Sequence, residues 1–384
     1  MLSVSRFFCD PGSSFFLFGP RGTGKSTWLR QSISDAIWLD LLDRETYRLY
    51  AARPERLRDA VLGQPAQKNV VLDEVQRIPE LLDMVHLLME QWPERRFILS
   101  GSSARKLKRA DVDLLAGRAA HLSMHPFMAA ELGADFDLEV ALRVGLVPVV
   151  YAAGNRARAL RAYVGLYLEQ EVKAEALVRD VGAFSRFLEA LSFSHASVLN
   201  IASVARDCQV GRNTVQGYME VLEDLLLGFR VPVFSRRARR HLIEHPKFYY
   251  FDTGVFRSVR PSGPLDSPEE LSGPALEGLV AQHLRAWIAY SEEGAQLYYW
   301  RTKSGNEVDF VVYGEQTFFA VEVKNSRNAY RRDLRGLQTF KEDYPPAKVC
   351  LLYRGSERLN LDGILCIPCE QFLLSLRPGH DPFA

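Results

Sequence analysis

Residues 19–26 constrain the fold more than any other stretch, because they read Gly-Pro-Arg-Gly-Thr-Gly-Lys-Ser, a Gly-x-x-x-x-Gly-Lys-Ser loop. The apolar run Phe15–Phe18 before the loop predicts a strand, and a helix is predicted to begin at Lys25. Glycines let backbone N–H groups turn towards phosphate oxygens, and a helix N-terminus adds partial positive charge. The pattern therefore predicts a cradle for nucleotide phosphates rather than a plain glycine-rich turn.

The side chains of this loop predict how the phosphates are held. Lys25 is expected to reach the β- and γ-phosphates, and the Ser26 hydroxyl is expected to bind Mg²⁺. The candidate nucleotide-binding residues are Gly19, Pro20, Arg21, Gly22, Thr23, Gly24, Lys25, Ser26 and Thr27.

A second apolar run, Asn69–Glu74, ends in two acids, Asp73 and Glu74. In a nucleotide hydrolase of this type, the first acid holds Mg²⁺ through water and the second polarises the attacking water. Asp73 is thus the expected metal ligand and Glu74 the expected catalytic base. Strands that end in Asp-Glu also occur without such roles, and the preceding phosphate loop favours the functional interpretation.

Two further stretches are candidates for contact with the γ-phosphate. The predicted strand Arg96–Leu99 is followed by Ser100-Gly101-Ser102-Ser103. Ser102 or Ser103 can contact that phosphate at the end of a parallel strand. The alternative is that these serines form only a turn and the N-cap of the next helix. Arg118 can contact the γ-phosphate in its own chain or in a neighbouring subunit, or it can be a solvated surface side chain.

Strands alternate with helices over residues 1–134, which predicts an α/β domain with a parallel sheet and its ligands at the carboxyl ends of the strands. The chain of 384 residues is too long for one ordinary core, and 47% hydrophobic with 25% charged residues is a globular composition. A formal net charge of +1 excludes a globally basic nucleic-acid binder, although it allows local basic patches.

Residues 135–260 are predicted to form a mainly helical linker followed by a unit that resembles a winged helix-turn-helix. Its predicted helices and wing strands are 184–193, 201–206, 212–225, 229–234 and 247–251. In a DNA-reading version, Arg212, Asn213 and Gln216 enter the major groove while the arginine-rich loop 236–241 neutralises phosphates. The alternative is that this unit mediates protein contacts only.

Residues 261–384 are predicted to form a second α/β domain, in which carboxylates lie inside apolar strands. Side chains alternate faces along a strand, so Glu307 and Asp309 share one face. Glu322 and Lys324 likewise share a face in the next strand. If the two strands form a tight hairpin, Asp309 lies opposite or diagonal to Glu322.

Two carboxylates placed so closely repel each other unless a cation lies between them, and Mg²⁺ or Mn²⁺ is the hard ion that carboxylates prefer. Asp309 and Glu322 are the expected ligands, and Lys324 would position a water for phosphodiester attack or stabilise developing charge. Glu277 on the preceding helix completes the group. The alternative is a pair of solvated strand faces with cross-strand charge pairing.

Taken together, these motifs resemble a family of prokaryotic AAA+-type ATPases in which a restriction-endonuclease-like PD-(D/E)xK domain follows the ATPase domain. The resemblance covers nearly the whole chain. It rests on residues 19–26, 71–76, 99–103, 115–118, 307–310 and 322–324. It implies ATP binding, a cytoplasmic location and self-association, and it leaves open whether the nuclease-like domain cleaves.

Two interpretations of function follow. The leading one is an ATP-hydrolysing enzyme that acts on DNA and carries a Mg²⁺-dependent nuclease domain at residues 261–384. The alternative is a nucleotide-switched regulatory or scaffold protein whose third domain only binds DNA or a partner. Five scattered cysteines favour reduced thiols in the cytoplasm, and the most apolar window, 140–154, is too short to span a bilayer, so no membrane association is expected.

Overall fold

The computed structural model describes residues 4–102, 115–168, 180–236, 240–263, 266–291 and 294–383. Ser103 and positions 237–239 of the arginine-rich loop lie outside these described residues. The chain divides into two compact units. We call Phe8–His125 with Asp224–Leu226 the N-terminal unit, and Met1–Phe7, Pro126–Glu223 and Leu227–Ala384 the C-terminal unit.

A five-stranded parallel sheet forms the centre of the N-terminal unit. Its strands in spatial order are β2 (Ala36–Asp40), β3 (Asn69–Asp73), β4 (Arg96–Gly101), β1 (Phe15–Phe18) and β5 (Ala120–Ser123). All four side chains of β1 are buried, as is typical of a parallel sheet covered on both faces. The sheet confirms the predicted α/β class for this part of the chain.

Each of the four helices described in the N-terminal unit buries part of its surface. They are α1 (Lys25–Ser32), α2 (Arg44–Ala52), α3 (Arg56–Leu62) and α4 (Leu81–Gln91), with short 3₁₀ turns at Val75–Arg77 and Leu115–Gly117. Pro54 lies between α2 and α3, because proline disfavours a helical conformation in the residue before it and cannot donate a backbone hydrogen bond. The shared core includes Phe16, Leu57, Leu72, Val85 and Leu99.

The C-terminal unit begins with short helices. They are α5 (Ala129–Leu132), α6 (Leu138–Val144), α7 (Pro148–Tyr151) and α8 (Arg156–Ala162), with 3₁₀ turns at Gly133–Asp135 and a π-helical stretch at Tyr163–Leu168. Helix α6 ends at Gly145, whose φ of 74° and ψ of −170° are open to glycine almost alone. The buried Asp252 side chain then accepts a hydrogen bond from the Leu146 N–H at 2.7 Å.

Residues 181–259 form an assembly of helices around a small antiparallel sheet. The elements in chain order are α9 (Val181–Ser192), β6 (Ser197–Val198), α10 (Ile201–Asp207), α11 (Arg212–Asp224), β7 (Gly228–Val231), β8 (Lys247–Tyr250) and α12 (Thr253–Val259). Strand β8 pairs with both β6 and β7. Helix α11 packs through side chains at helical spacing, namely Val215, Tyr218, Met219 and Leu222.

A six-stranded mixed sheet organises the rest of the C-terminal unit. Its strands in spatial order are β13 (Leu359–Leu361), β14 (Ile364–Pro368), β12 (Lys348–Tyr353), β11 (Phe318–Lys324), β10 (Glu307–Tyr313) and β9 (Gln296–Arg301). It is accompanied by α13 (Pro268–Tyr290), a 3₁₀ turn (Arg331–Leu334), α14 (Arg335–Asp343) and α15 (Cys369–Ser375). Trp300, Val308, Val311, Leu337 and Phe340 belong to one core cluster.

Residues 260–274 are rich in Pro, Ser and Gly, which predicts a linker before a helix that starts at Ala275. Helix α13 instead starts at Pro268, and Pro274 lies inside it. Ser267 caps the N-terminus by accepting from the Glu270 N–H, and a proline is well tolerated at the first helical position. Although α13 has 23 residues, no helix in the described ranges combines the length and apolarity needed to cross a bilayer.

Candidate functional site

The loop between β1 and α1 depends on its glycines. Gly22 and Gly24 have φ values of 79° and 93°, which would strain any residue with a side chain. A Cβ at Gly19 would overlap the carbonyl oxygen of Met124. Thr23 closes the loop, because its hydroxyl donates to a loop carbonyl oxygen at 2.8 Å. The predicted cradle is therefore a tight turn that requires glycine at three positions.

Lys25 is the first residue of α1, and its ammonium lies within this loop. The residue is 5% exposed, and Nζ donates to two loop carbonyl oxygens at 2.7 and 3.2 Å. Ser26 is half-buried beside it, whereas Arg21 and Thr27 are exposed. The loop combines an ammonium group with the positive end of a helix, and both favour the binding of an anion. The loop thus has the chemistry of a phosphate site.

The predicted acids lie at the end of the neighbouring strands. Strand β4 pairs with β1 on one side and with β3 on the other, so the loop and the acids flank its end. Asp73 is 1% exposed, and its Oδ1 accepts a hydrogen bond from the Ser100 hydroxyl. Glu74 has the left-handed angles φ 62° and ψ 44°, which cost a non-glycine residue about 1–3 kcal/mol. Strain of this kind is concentrated at functional sites.

Gln76 connects Glu74 with Ser102, a contact that sequence reasoning did not foresee. Its Nε2 donates to Glu74 Oε2 at 2.6 Å and to Ser102 Oγ at 3.1 Å. Gln76 and Ser102 are both buried, and a Cβ at Gly101 would overlap the Gln76 amide oxygen. The available sequence signal was a polar side chain two positions after Glu74. The candidate base and the candidate phosphate sensor are therefore parts of one hydrogen-bonded group.

Arg118 lies at the surface of the N-terminal unit. Its side chain is 42% exposed, and its Nη2 pairs with Glu90 Oε1 at 3.0 Å. Its Nη1 also contacts the His86 ring. Exposed ion pairs contribute little free energy, so this side chain can exchange partners at low cost.

In the C-terminal unit, β10 and β11 form the predicted antiparallel hairpin. Phe310 pairs with Val321, and one further step in this register places Asp309 opposite Glu322. Both carboxylates are buried, and Asp309 Oδ2 accepts a hydrogen bond from the Val323 N–H at 2.9 Å. The register thus places the two acids at facing positions of neighbouring strands.

A cation that sequence reasoning missed lies among these acids: Lys247, from β8. Its Nζ is 3.0 Å from Glu277 Oε1 and 2.5 Å from Glu307 Oε1. It is also 2.9 Å from Asp309 Oδ1. The Tyr249 hydroxyl donates to Glu277 Oε1 at 2.6 Å. We call Lys247, Glu277, Glu307, Asp309 and Glu322 the carboxylate centre.

Burial and mutual repulsion set the protonation of this centre. Burial lowers the pKa of the Lys247 ammonium, but attraction by Asp309 and Glu277 outweighs it, and the pKa is raised well above its ordinary value. Burial and the nearby Asp309 raise the pKa of Glu277 to about 7. The same two causes raise the pKa of Glu322 well above its ordinary value, although Lys324 opposes them at 2.6 Å.

The carboxylates of this centre are not arranged as a divalent metal site. Within the described ranges, no group of three His, Cys, Asp or Glu side chains is arranged to hold one. Asp309 and Glu322 do line an open polar cleft together with Lys324, Arg332 and Arg335. The predicted residues thus come together, while the metal geometry expected of them is not present in this part of the chain.

The first turn of α11 presents a polar face. Arg212, Asn213 and Gln216 are all exposed. The described ends of the arginine-rich loop are engaged within the unit, since Arg236 stacks over the Tyr313 ring and Arg240 pairs with two acids of α14. Those acids are Glu342, at 3.0 Å, and Asp343, at 2.9 Å. Arg212 is therefore an exposed positive charge among the predicted reading residues.

Two curated proteins resemble most of the chain. These are the uncharacterized proteins Mb2031c of Mycobacterium bovis and Rv2008c of Mycobacterium tuberculosis, each 26% identical over 366 residues, which cover 93% of this chain and 80% of theirs. Among solved structures, the replication initiator DnaA bound to AMPPCP and single-stranded DNA matches 55% of this chain and 82% of its own, at 12% identity and a TM-score of 0.28.

Three family descriptions match successive parts of the chain. Residues 135–266 match a domain of unknown function, DUF8612, and residues 272–372 match another, DUF4143. Residues 12–133 match the AAA domain, and this match spans the phosphate loop, both acids of β3 and Arg118. This part of the chain is thus similar to AAA domains, and the match supports a nucleotide-binding ATPase.

Proposed function

We propose that the N-terminal unit hydrolyses ATP and that its nucleotide state controls binding of DNA by the C-terminal unit. The observation that carries the first half is the adjacency of a glycine-dependent phosphate loop and a strained Glu74 at the ends of neighbouring parallel strands. The second half is carried by the exposed polar face of α11.

In the ATP site, Lys25 binds the β- and γ-phosphates, and Ser26 and Asp73 would hold Mg²⁺. When bound, this ion neutralises phosphate charge. Glu74 accepts a proton from the attacking water, and Ser102 donates to the γ-phosphate. Arg118 contacts that phosphate in its own chain or in a neighbouring copy of the protein, after exchanging its surface partners.

The assembly of residues 181–259 supports DNA contact by its order of elements. A winged helix-turn-helix has the order helix, strand, two helices and two strands, and the second helix of its helix-turn-helix pair, the third in this order, enters the major groove. Helix α11 occupies that position, and it buries an apolar stripe while exposing Arg212, Asn213 and Gln216. Amide and guanidinium groups are those that read base edges.

The test measures DNA affinity of the full chain by fluorescence anisotropy, with ATP, with ADP and without nucleotide. Arg212→Ala is expected to weaken binding and to reduce the slope of log affinity against log salt by about 1, because one phosphate or base contact is lost. Arg186→Ala, an exposed arginine on α9, serves as the control and is expected to bind as the wild type does. Equal affinity in all three proteins would contradict a role for α11.

A second candidate function is a nuclease in the C-terminal unit. It is favoured by Glu322, whose Oε2 accepts no hydrogen bond among the described residues and which lines the cleft with Asp309 and Lys324. Plasmid and linear DNA incubated with Mg²⁺ or Mn²⁺ test this candidate. Cleavage that disappears in Glu322→Ala would establish it, and intact DNA with the wild type would remove it.

A further inference from the structure

The ammonium of Lys247 has three N–H groups and three carboxylate partners. Glu277, Glu307 and Asp309 each present an oxygen within 3.0 Å of Nζ, and the side chain is 2% exposed. The partners come from α13 and β10, while the lysine comes from β8. A buried ammonium is stable only when its donors are used in this way. Lys247 is therefore a buried member of the centre with every ammonium N–H facing a carboxylate, and not a surface side chain in contact with it.

The other oxygens of Asp309 and Glu307 also have partners, and the Glu277 oxygen that faces Lys247 has a second donor. Asp309 Oδ2 accepts from the Val323 N–H at 2.9 Å, and Glu307 Oε2 pairs with Arg301 at 3.2 Å. Glu277 Oε1 accepts from the Tyr249 hydroxyl as well as from Lys247. A metal that bound through Asp309, Glu307 or Glu277 Oε1 would have to displace existing donors.

The charges lead to the same conclusion. Counted as fully ionised, four carboxylates, those of Glu277, Glu307, Asp309 and Glu322, face three cations, those of Lys247, Lys324 and Arg301, which already balance three of the four negative charges. Carboxylates bind Mg²⁺ at about 2.0–2.1 Å. An ion at that distance from Asp309 Oδ1 and Glu277 Oε1 would lie against the ammonium, and like charges at such a distance repel strongly in a buried site.

We propose that Lys247 is the resident cation of the carboxylate centre and occupies the place that a divalent metal would need. The wild-type centre then holds together without metal, and it does not bind Mg²⁺ or Mn²⁺. Its acids act as the anchor of β8 against β10 and α13. The lysine thus converts a group of residues with nuclease-like spacing into a closed charge cluster.

Mn²⁺ titration of the nucleotide-free full chain, followed by electron paramagnetic resonance of the free ion, tests this proposal. The wild type is expected to show only weak binding that Glu322→Gln does not alter. Lys247→Met, which keeps the length of the side chain but removes its charge, is expected to gain one site at least about tenfold tighter. That site is expected to vanish in the double variant Lys247→Met with Asp309→Asn.

Lys341→Met is the matched control, because Lys341 is exposed on α14. It is expected to bind Mn²⁺ as the wild type does. A second measurement is the melting temperature, which Mn²⁺ is expected to raise in Lys247→Met and to leave unchanged in the wild type and in Lys341→Met. If Lys247→Met does not fold without metal, recovery of folded protein on adding Mn²⁺ supports the proposal.

Two results would overturn it. One is a wild-type Mn²⁺ site that Glu322→Gln abolishes, which would favour the nuclease candidate instead. The other is a folded Lys247→Met protein that gains no site. Neither result depends on the DNA affinity of α11, which Arg212→Ala tests without altering the carboxylate centre, so failure here and failure of the proposed DNA binding are separate outcomes.

Discussion

Replacement of Glu74 by Gln removes one negative charge from the end of β3 and alters little else. The side chain is half-buried, and its Oε2 accepts a hydrogen bond from Gln76 at 2.6 Å. An amide oxygen in the same place can still accept that hydrogen bond. The loop that holds the phosphates is unchanged, so the affinity for ATP is expected to stay within about threefold of the wild type.

The loss is expected in the chemical step. A positioned general base contributes a factor of about 10²–10⁴ in rate, which corresponds to about 3–5 kcal/mol of activation free energy. Glu74→Gln is therefore expected to hydrolyse ATP about 10²–10⁴-fold more slowly. Single-turnover phosphate release measures this step, and displacement of a fluorescent ATP analogue measures affinity separately. Because Glu74→Gln is expected to hold ATP without hydrolysing it, the molecular mass of this variant in solution with and without ATP also tests the expected self-association.

The control is Glu80→Gln, which removes an exposed acid just before α4 and is expected to retain the wild-type rate. Hydrolysis by Glu74→Gln at the wild-type rate would refute the assignment of Glu74 as the base. A loss of ATP affinity together with the loss of rate would instead place Glu74 in ground-state binding.

Two further predictions concern stability of the C-terminal unit. Burial lowers the pKa of His283 to about 4, and the Nε2 of its neutral ring accepts a hydrogen bond from the Ala129 N–H at 2.8 Å. Because the unfolded chain takes up this proton below about pH 6.5 and the folded protein does not, the stabilising contribution of His283 is complete above about pH 6.5 and is lost as the pH falls towards 4. In urea unfolding, the free energy of unfolding is expected to fall by about 2 kcal/mol between pH 6.5 and 5 because of this residue, and by less in His283→Gln. The same dependence of unfolding free energy on pH in His283→Gln and the wild type would contradict the reasoning. Gly145→Ala is expected to lower the free energy of unfolding by at least about 2 kcal/mol, because φ is 74° and a Cβ would overlap Asp252 Oδ1. Gly154→Ala, which has open space around its Cα, is the control, and equal unfolding free energies for the two variants would contradict this explanation.

Much of the ATP site could be predicted from the sequence because its parts are contiguous. The loop at 19–26 has a strand before it and a helix after it, so local backbone geometry alone positions Lys25. Asp73 and Glu74 end a buried strand, and parallel strands bring their carboxyl ends to one edge. The contact of Gln76 with Ser102 could not be predicted, since it depends on which strand neighbours β3.

In the C-terminal unit, the alternation of side chains along β10 and β11 was enough to predict that Asp309 and Glu322 face each other. It did not predict what lies between them. Lys247 precedes Asp309 by 62 residues, on a strand of a different sheet, and no periodicity links the two.

The sequence by itself therefore determined the phosphate loop, the acids beside it and the pairing of two carboxylates, because each depends on neighbours along the chain or on strand alternation. Only the tertiary structure decided that a lysine from β8 neutralises those carboxylates and that Arg240 is held by acids of α14. Both outcomes arise because burial makes an unpaired charge costly, and the partner that relieves this cost can come from any element that the fold brings near.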